Sequence, residues 1–133
     1  MELREFEPGI SQDTAFYWEG TRDGKALVQQ CGRCKAFRFP PSPICANCQS
    51  FDVDIVELSG KGNIYSVAEC HHPQMPIQGS GYLICLVELE EGIRFAANLR
   101  DCTLAEGTIG LPVEMFFEPL ASGYQLPQFR LAS

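Results

Sequence analysis

The sequence predicts a mainly β protein in three parts. An N-terminal arm and helix occupy residues 1–24, a small cysteine-pinned ribbon residues 25–56, and a five-stranded barrel residues 57–133. Three observations carry this. Cys31-Gly-Arg-Cys34 and Cys45-Ala-Asn-Cys48 are two matched Cys-x-x-Cys pairs ten residues apart. From Glu57 onward, apolar runs of strand length alternate with Gly, Pro and Asn breakers. Ahead of the first cysteine, a short stretch closed by Gly24 has a capping residue, Asp13, at its head.

Residues 1–12 read as an irregular arm broken at Pro8-Gly9. Asp13 is placed to cap a helix beginning at Thr14 that carries Phe16, Tyr17 and Trp18. Three consecutive aromatics cannot share one helix face. Some must therefore meet either the rest of the chain or another protein, and all three are candidate interface residues.

Residues 25–30 lead as a strand into the first cysteine pair, and Ala36-Phe37-Arg38-Phe39 leaves it as a second. Pro40, Pro41 and Pro43 stop that strand by removing backbone donors. Residues 51–56 leave the second pair. Each pair forms a tight turn that aims two sulfurs at one point. Cys31, Cys34, Cys45 and Cys48 thus supply the four thiolates of a tetrahedral structural zinc site, a rubredoxin-like zinc ribbon. The competing readings are two disulfides, four unrelated thiols, or iron on the same ligands. Four sulfurs fill the coordination shell and leave no position for water or substrate, so the metal is expected to be structural. A ribbon of this size buries too little surface to fold alone. Coordination, worth on the order of 10–16 kcal/mol in small zinc peptides, supplies the difference.

Beyond Glu57, Gly60-Lys61-Gly62 marks a bend where a strand curls, and residues 63–70 continue as the first barrel strand. Residues 71–81 are a breaker-rich loop. Residues 82–89, nearly all apolar, are expected to form a central strand buried on both faces. Glu90-Glu91-Gly92 turns the chain into a third strand over 93–99. A long connection over 100–110, with room for a helical turn, leads to a fourth strand over 112–118. Ala121-Ser122-Gly123 turns it into a fifth over 124–131, where Pro127 demands an edge or a bulge. Five strands, a curled first one and a long link between the third and fourth describe an OB-fold barrel.

Composition narrows the class. Hydrophobic residues at 45% and charged residues at 20% fit a soluble globular chain, and no apolar run approaches the roughly 18 residues of a membrane span. The acidic start lacks the basic and apolar regions of a signal peptide. Cys70, Cys85 and Cys102 remain beside the metal set, without framework spacing. These features place the chain in a reducing cytoplasm, with no membrane association. Net charge is −7, yet residues 24–51 hold four basic residues (Lys25, Arg33, Lys35 and Arg38) and no acidic one. That charge either offsets the roughly −2 of a zinc–tetrathiolate centre or binds an anion.

In this order, several motifs identify a family resemblance. They are Phe16-Tyr17-Trp18-Glu19, Cys31-x-x-Cys34 with Arg38-Phe39-Pro40-Pro41, Cys45-x-x-Cys48, Ser59-Gly60-Lys61-Gly62 with Tyr65-Ser66, Leu86 to Gly92, Asn98-Leu99, Ile109 to Val113, and Leu126-Pro127-x-Phe129-Arg130. The chain resembles, over nearly its whole length, the zinc-ribbon plus OB-fold proteins associated with acyl-CoA enzymes, long catalogued as a domain of unknown function. The resemblance implies a non-catalytic accessory subunit. Its partner would be a thiolase-like protein, a lipid-transfer-type aldolase or a hot-dog-fold hydratase, and it would help hold an acyl-CoA. One departure is Lys35, where such proteins often carry glycine. If the position needs positive φ, lysine costs roughly 1 kcal/mol.

CoA brings phosphates, which call for cationic contacts. Arg33 and Arg38 are the candidates, with Phe39 and Pro40 as an apolar ledge and Asn98 to meet the pantetheine amides. Residues for catalysis are wanting: the two histidines, His71 and His72, are adjacent in a loop, and no nucleophile elbow is present. Two alternatives stand. A single-stranded nucleic-acid-binding OB-fold is opposed by the acidic barrel segment, since phosphate neutralisation supplies most non-specific affinity. A purely structural assembly subunit differs only in never touching substrate.

Overall fold

The computed structural model describes residues 8–72 and 81–132. The chain folds as two compact units, Pro8–Leu58 and a second beginning at Ser59.

In the first unit the helix α1 spans Ala15–Arg22. Its cap is Thr14, not Asp13, and the Thr14 hydroxyl turns back rather than forward. The Ser11 N–H donates to Thr14 Oγ1 at 3.0 Å and the Thr14 N–H to Ser11 Oγ at 3.3 Å, a reciprocal turn that leaves the helix without a side-chain cap. Gly24 ends it as expected, in the left-handed region at φ 72°. Gly20 has a packing reason: a Cβ there would lie 2.7 Å from Leu27 Cδ1, so glycine lets α1 rest on the following strand.

That strand, β1 (Leu27–Cys31), is central in a three-stranded sheet. It is flanked antiparallel by β2 (Phe37–Arg38) and β3 (Val53–Glu57). The β1–β3 register runs from Leu27↔Glu57 to Cys31↔Val53. Tyr17, Thr21, Ala26, Val28 and Leu58 form the core beside Cys31 and Cys45. Tyr17 meets Trp18 edge-on at 5.0 Å and Phe39 at 6.1 Å. The expectation that all three aromatics serve an interface is therefore corrected for Tyr17, which packs in its own unit. Phe16 and Trp18 are half-buried.

The second unit is a closed barrel with strand order β4-β5-β6-β8-β7, using β4 (Lys61–Cys70), β5 (Tyr82–Leu89), β6 (Arg94–Arg100), β7 (Pro112–Pro119) and β8 (Gln125–Leu131). Every pairing is antiparallel except β6–β8, which is parallel. This is the OB-fold arrangement. Strand β4 achieves closure by pairing with β7 at its start and β5 along its length, with a bulge between Ile64 and Ser66. At Gly62 the strands come so close that a Cβ would strike the Glu88 carbonyl oxygen. Ile64, Cys85, Val87, Phe95, Leu99, Val113 and Phe129 fill the interior, with Phe95 and Phe129 edge-to-face at 6.0 Å.

One expectation changes here. Strand β5 is not buried on both faces: burial alternates along it, and Ile84 is 41% exposed, because a barrel wall has an inside and an outside. The 100–110 connection holds one helical turn, as expected, with the Gly107 N–H donating to the Thr103 carbonyl at 3.0 Å. It is closed by the Thr103 N–H on Glu106 Oε1 at 2.8 Å and the Glu106 N–H on Thr103 Oγ1 at 3.3 Å. Most of the 71–81 loop lies outside the described residues. Pro127 meets its expectation: β8 pairs with β6 at Leu99↔Phe129 and Arg100↔Arg130, so among the described residues β7 is the one strand paired with it at Pro127.

Candidate metal centre and surrounding residues

Two turns with matching hydrogen bonds build the metal centre. In the first, the Lys35 N–H donates to the Cys31 carbonyl at 3.0 Å, and the Cys31 N–H to the Ala36 carbonyl at 2.8 Å. In the second, the Gln49 N–H donates to the Cys45 carbonyl and the Cys45 N–H to the Ser50 carbonyl, both at 2.9 Å. Each turn is completed by a residue of positive φ just after its second cysteine, Lys35 at 68° and Gln49 at 58°. The positive φ suspected at Lys35 is therefore present, and Gln49 repeats it. The exact spacing of the two pairs was the signal that could have found Gln49.

The turns also direct amides onto sulfur. The Arg33 and Cys34 N–H groups both point at Cys31 Sγ at 3.4 Å, and the Asn47 and Cys48 N–H groups at Cys45 Sγ at 3.4 and 3.5 Å. Donation from the Cys34 N–H, aided by Arg33, pulls the Cys31 thiol down to about 6 against the burial that raises it. Cys45 is lowered in the same way, first by the Cys48 N–H. For Cys48 the Ser50 N–H also acts to lower it, but burial and the other three cysteines prevail and hold it up at about 11. Four thiols this close do not all ionise unaided; a divalent cation offsets their charge.

The donor set fits zinc. All four Sγ atoms lie within 4.8 Å of one another, with Cys31–Cys48 and Cys34–Cys45 at 3.6 Å. A tetrahedron with Zn–S near 2.3 Å has sulfurs about 3.8 Å apart. Cys31 and Cys45 are buried, Cys34 and Cys48 half-buried. The four cysteines hold one zinc ion whose shell they fill.

The remaining candidates scatter. Arg33 is exposed on the first turn, as is Lys35. Arg38, read from sequence as a phosphate contact, is 5% exposed. Its guanidinium donates to the carbonyls of Ser42 at 3.2 Å, Ser50 at 3.3 Å and Asp52 at 2.7 Å. That assignment is corrected: Arg38 ties the chain on both sides of the second cysteine pair back to β2. Phe39 is half-buried and Pro40 exposed, and both border a cavity of about 240 Å³ that Phe37 and Ile44 also line. Asn98 lies within β6, on the wall of a separate cavity of about 220 Å³ in the barrel unit, and its side-chain amide donates to the Leu83 carbonyl at 3.1 Å. His71 and His72 are exposed, with His71 Nε2 3.8 Å from Glu69 Oε1. Burial raises the Cys85 thiol to about 11, with Cys102 adding to the effect, and that of Cys102 is likewise raised, so neither is activated. Among the described residues no helix is long and apolar enough to cross a membrane.

Comparison with known proteins fits this anatomy. Residues 18–54 match the ChsH2 rubredoxin-like zinc ribbon domain, and residues 55–118 the ChsH2 C-terminal OB-fold domain. A probable enoyl-CoA hydratase alpha subunit from Thermomonospora curvata is 39% identical over 125 residues, 94% of this chain. The chain spans only 39% of that protein's length. A DUF35 domain-containing scaffold protein from Methanocaldococcus jannaschii is 31% identical, covering 75% of this chain and 73% of its own. A solved structure, the Ltp2-ChsH2(DUF35) aldolase, has a chain 38% identical with a TM-score of 0.88, covering 96% of this chain and 100% of that one. With both halves matched in order on the observed ribbon and barrel, the chain belongs to the DUF35 family of zinc-ribbon plus OB-fold proteins.

Proposed function

We propose that this chain is a non-catalytic accessory subunit of an acyl-CoA-processing enzyme. Its partner is a thiolase-like protein, a lipid-transfer-type aldolase or a hot-dog-fold hydratase, and it helps to hold the acyl-CoA. The observation that carries the reading is the likeness, at a TM-score of 0.88, to a chain of an aldolase assembly that this chain covers completely. The hydratase-subunit relative points to the same chemistry. A zinc enclosed by four thiolates has no position for substrate and acts by folding the ribbon.

Within this reading Arg33 meets a CoA phosphate from an exposed turn. Phe39 and Pro40 supply apolar surface at the ribbon cavity they line, whereas the Asn98 amide already donates to the Leu83 carbonyl. Arg38 drops out, since it is buried and both of its terminal nitrogens already donate to carbonyls. Phe16 and Trp18 are the aromatic anchors toward the partner.

The test is co-purification followed by kinetics. The tagged chain should bring down a thiolase-like or hydratase-like enzyme at fixed stoichiometry, and alone it should turn over no acyl-CoA. In the complex, Arg33→Ala should raise KM about tenfold, as expected for one charged contact, with kcat and zinc content unchanged. Robust turnover by the isolated chain would reject the accessory role. Micromolar binding of single-stranded DNA or RNA at low salt would favour a nucleic-acid role instead.

A further inference from the structure

The sheet of the ribbon unit ends in an unused edge. Its order is β2-β1-β3, so β3 has one neighbour, and among the described residues no other strand pairs with it. The hydrogen bonds flanking the β1–β3 ladder set its parity. The Gly32 N–H donates to the Asp52 carbonyl at 3.2 Å, and the Leu58 N–H to the Ala26 carbonyl at 2.8 Å. Even-numbered residues of β3 therefore direct their backbone groups toward β1. The odd-numbered residues, Val53, Ile55 and Glu57, direct theirs outward.

Side chains sharpen the picture. Val53 is 41% exposed and Ile55 48%, two large apolar residues at alternate positions and hence on one face, and Phe51, just ahead of the strand, is 74% exposed. Asp52 and Asp54, both exposed, alternate with them on the other face. A monomer protects an edge with charges, bulges or a cover. Here the register from Leu27↔Glu57 to Cys31↔Val53 is unbroken, Asp52 and Asp54 lie on the opposite face, and Glu57 charges the apolar face only at its end.

From this we propose that the outer edge of β3 is a strand-docking site for another protein, taking an extended segment that alternates aliphatic with Lys or Arg residues. The segment's backbone pairs with Val53, Ile55 and Glu57. Its aliphatic side chains lie beside Phe51, Val53 and Ile55, and its cations beside Asp52 and Asp54. A second copy of this chain is a poor occupant. Antiparallel self-pairing centred on Val53 sets Asp52 opposite Asp54 of the other copy, centring on Asp54 sets that residue opposite itself, and centring on Ile55 sets Glu57 against Val53 and leaves both aspartates without a cation opposite. Like charges directly across a ladder are destabilising. The site stands independently of the acyl-CoA reading, because it is tested on this chain alone.

The experiment uses the zinc-loaded full chain and a fluorescently labelled peptide of alternating Lys and Val. Binding should shift the backbone amide resonances of Val53, Ile55 and Glu57. Ile55→Pro removes an outward donor and leaves the bonds to β1 untouched. It should weaken binding about tenfold or more, with zinc content and β1 amide protection retained. Should that variant lose zinc, a peptide N-methylated on alternate amides makes the same cut from the other side, and its loss of binding supports the site. Asp52→Lys with Asp54→Lys should transfer the preference to an alternating Glu and Val peptide. Binding indifferent to both proline and N-methylation overturns the proposal, as does no binding at millimolar peptide. Concentration-dependent dimerisation abolished by Ile55→Pro would give the edge to a second copy and overturn it too.

Discussion

At the scale of single residues, the most informative positions are those where a side chain and its backbone conformation disagree. Lys35 and Gln49 both hold positive φ at the close of a cysteine turn. Lys35→Gly should therefore stabilise the ribbon, by up to about 1 kcal/mol, read as a higher thermal midpoint or slower zinc release to a chelator. Arg38→Ala should do the reverse. It strips the Ser42, Ser50 and Asp52 carbonyls of a shared donor, and a loss of about 1–3 kcal/mol should appear as weaker zinc retention, without any selective change in CoA affinity. The four cysteines were legible from sequence because their geometry is written in short spacing. The fate of Arg38 was not. Its acceptors stand four to fourteen positions away, and only the folded ribbon brings them to one guanidinium.

At the scale of elements, ribbon and barrel have different sources of order. The ribbon sheet includes a strand of only two residues, β2, and its core is small. Native mass spectrometry should show one zinc per chain. Its removal by a strong chelator should abolish the ribbon's amide protection, while a redox-active iron in its place would contradict the assignment. The barrel depends instead on close strand approach. Gly62→Ala should destabilise it by about 1–3 kcal/mol, because the added methyl meets the Glu88 backbone rather than a movable side chain, and urea denaturation would measure this. Strand positions were readable from breakers and apolar runs. The alternation of β5 was not, because Ile84 is as apolar as its inward neighbours although it faces out. The helix cap was misplaced for a similarly local reason: Asp13 has capping chemistry, but the Ser11–Thr14 turn occupies the junction.

At the scale of the whole molecule, order and content of the two units follow the family pattern, while the partner surfaces depend on which faces remain exposed after folding. Phe51 and its alternate neighbours on β3 illustrate this, since an apolar residue in a strand looks the same in sequence whether covered or bare. The barrel has one further property of this kind. One of its seams, β6 against β8, rests on two residue pairs and another, β4 against β7, on three, whereas β4–β5 and β7–β8 run nearly the length of their strands. Across the β6–β8 seam the Arg100 guanidinium reaches Glu118 at 2.9 Å and the fully buried Gln128 at 2.8 Å, and Gln128 donates to Glu118 at 2.6 Å. Replacing Arg100 with methionine should speed amide exchange at Leu99 and Phe129 and leave β4–β5 protected, a difference visible by hydrogen–deuterium exchange. The wall thus has two short seams, β4–β7 with three residue pairs and β6–β8 with two, and the second is the one that opens when Arg100 lets go.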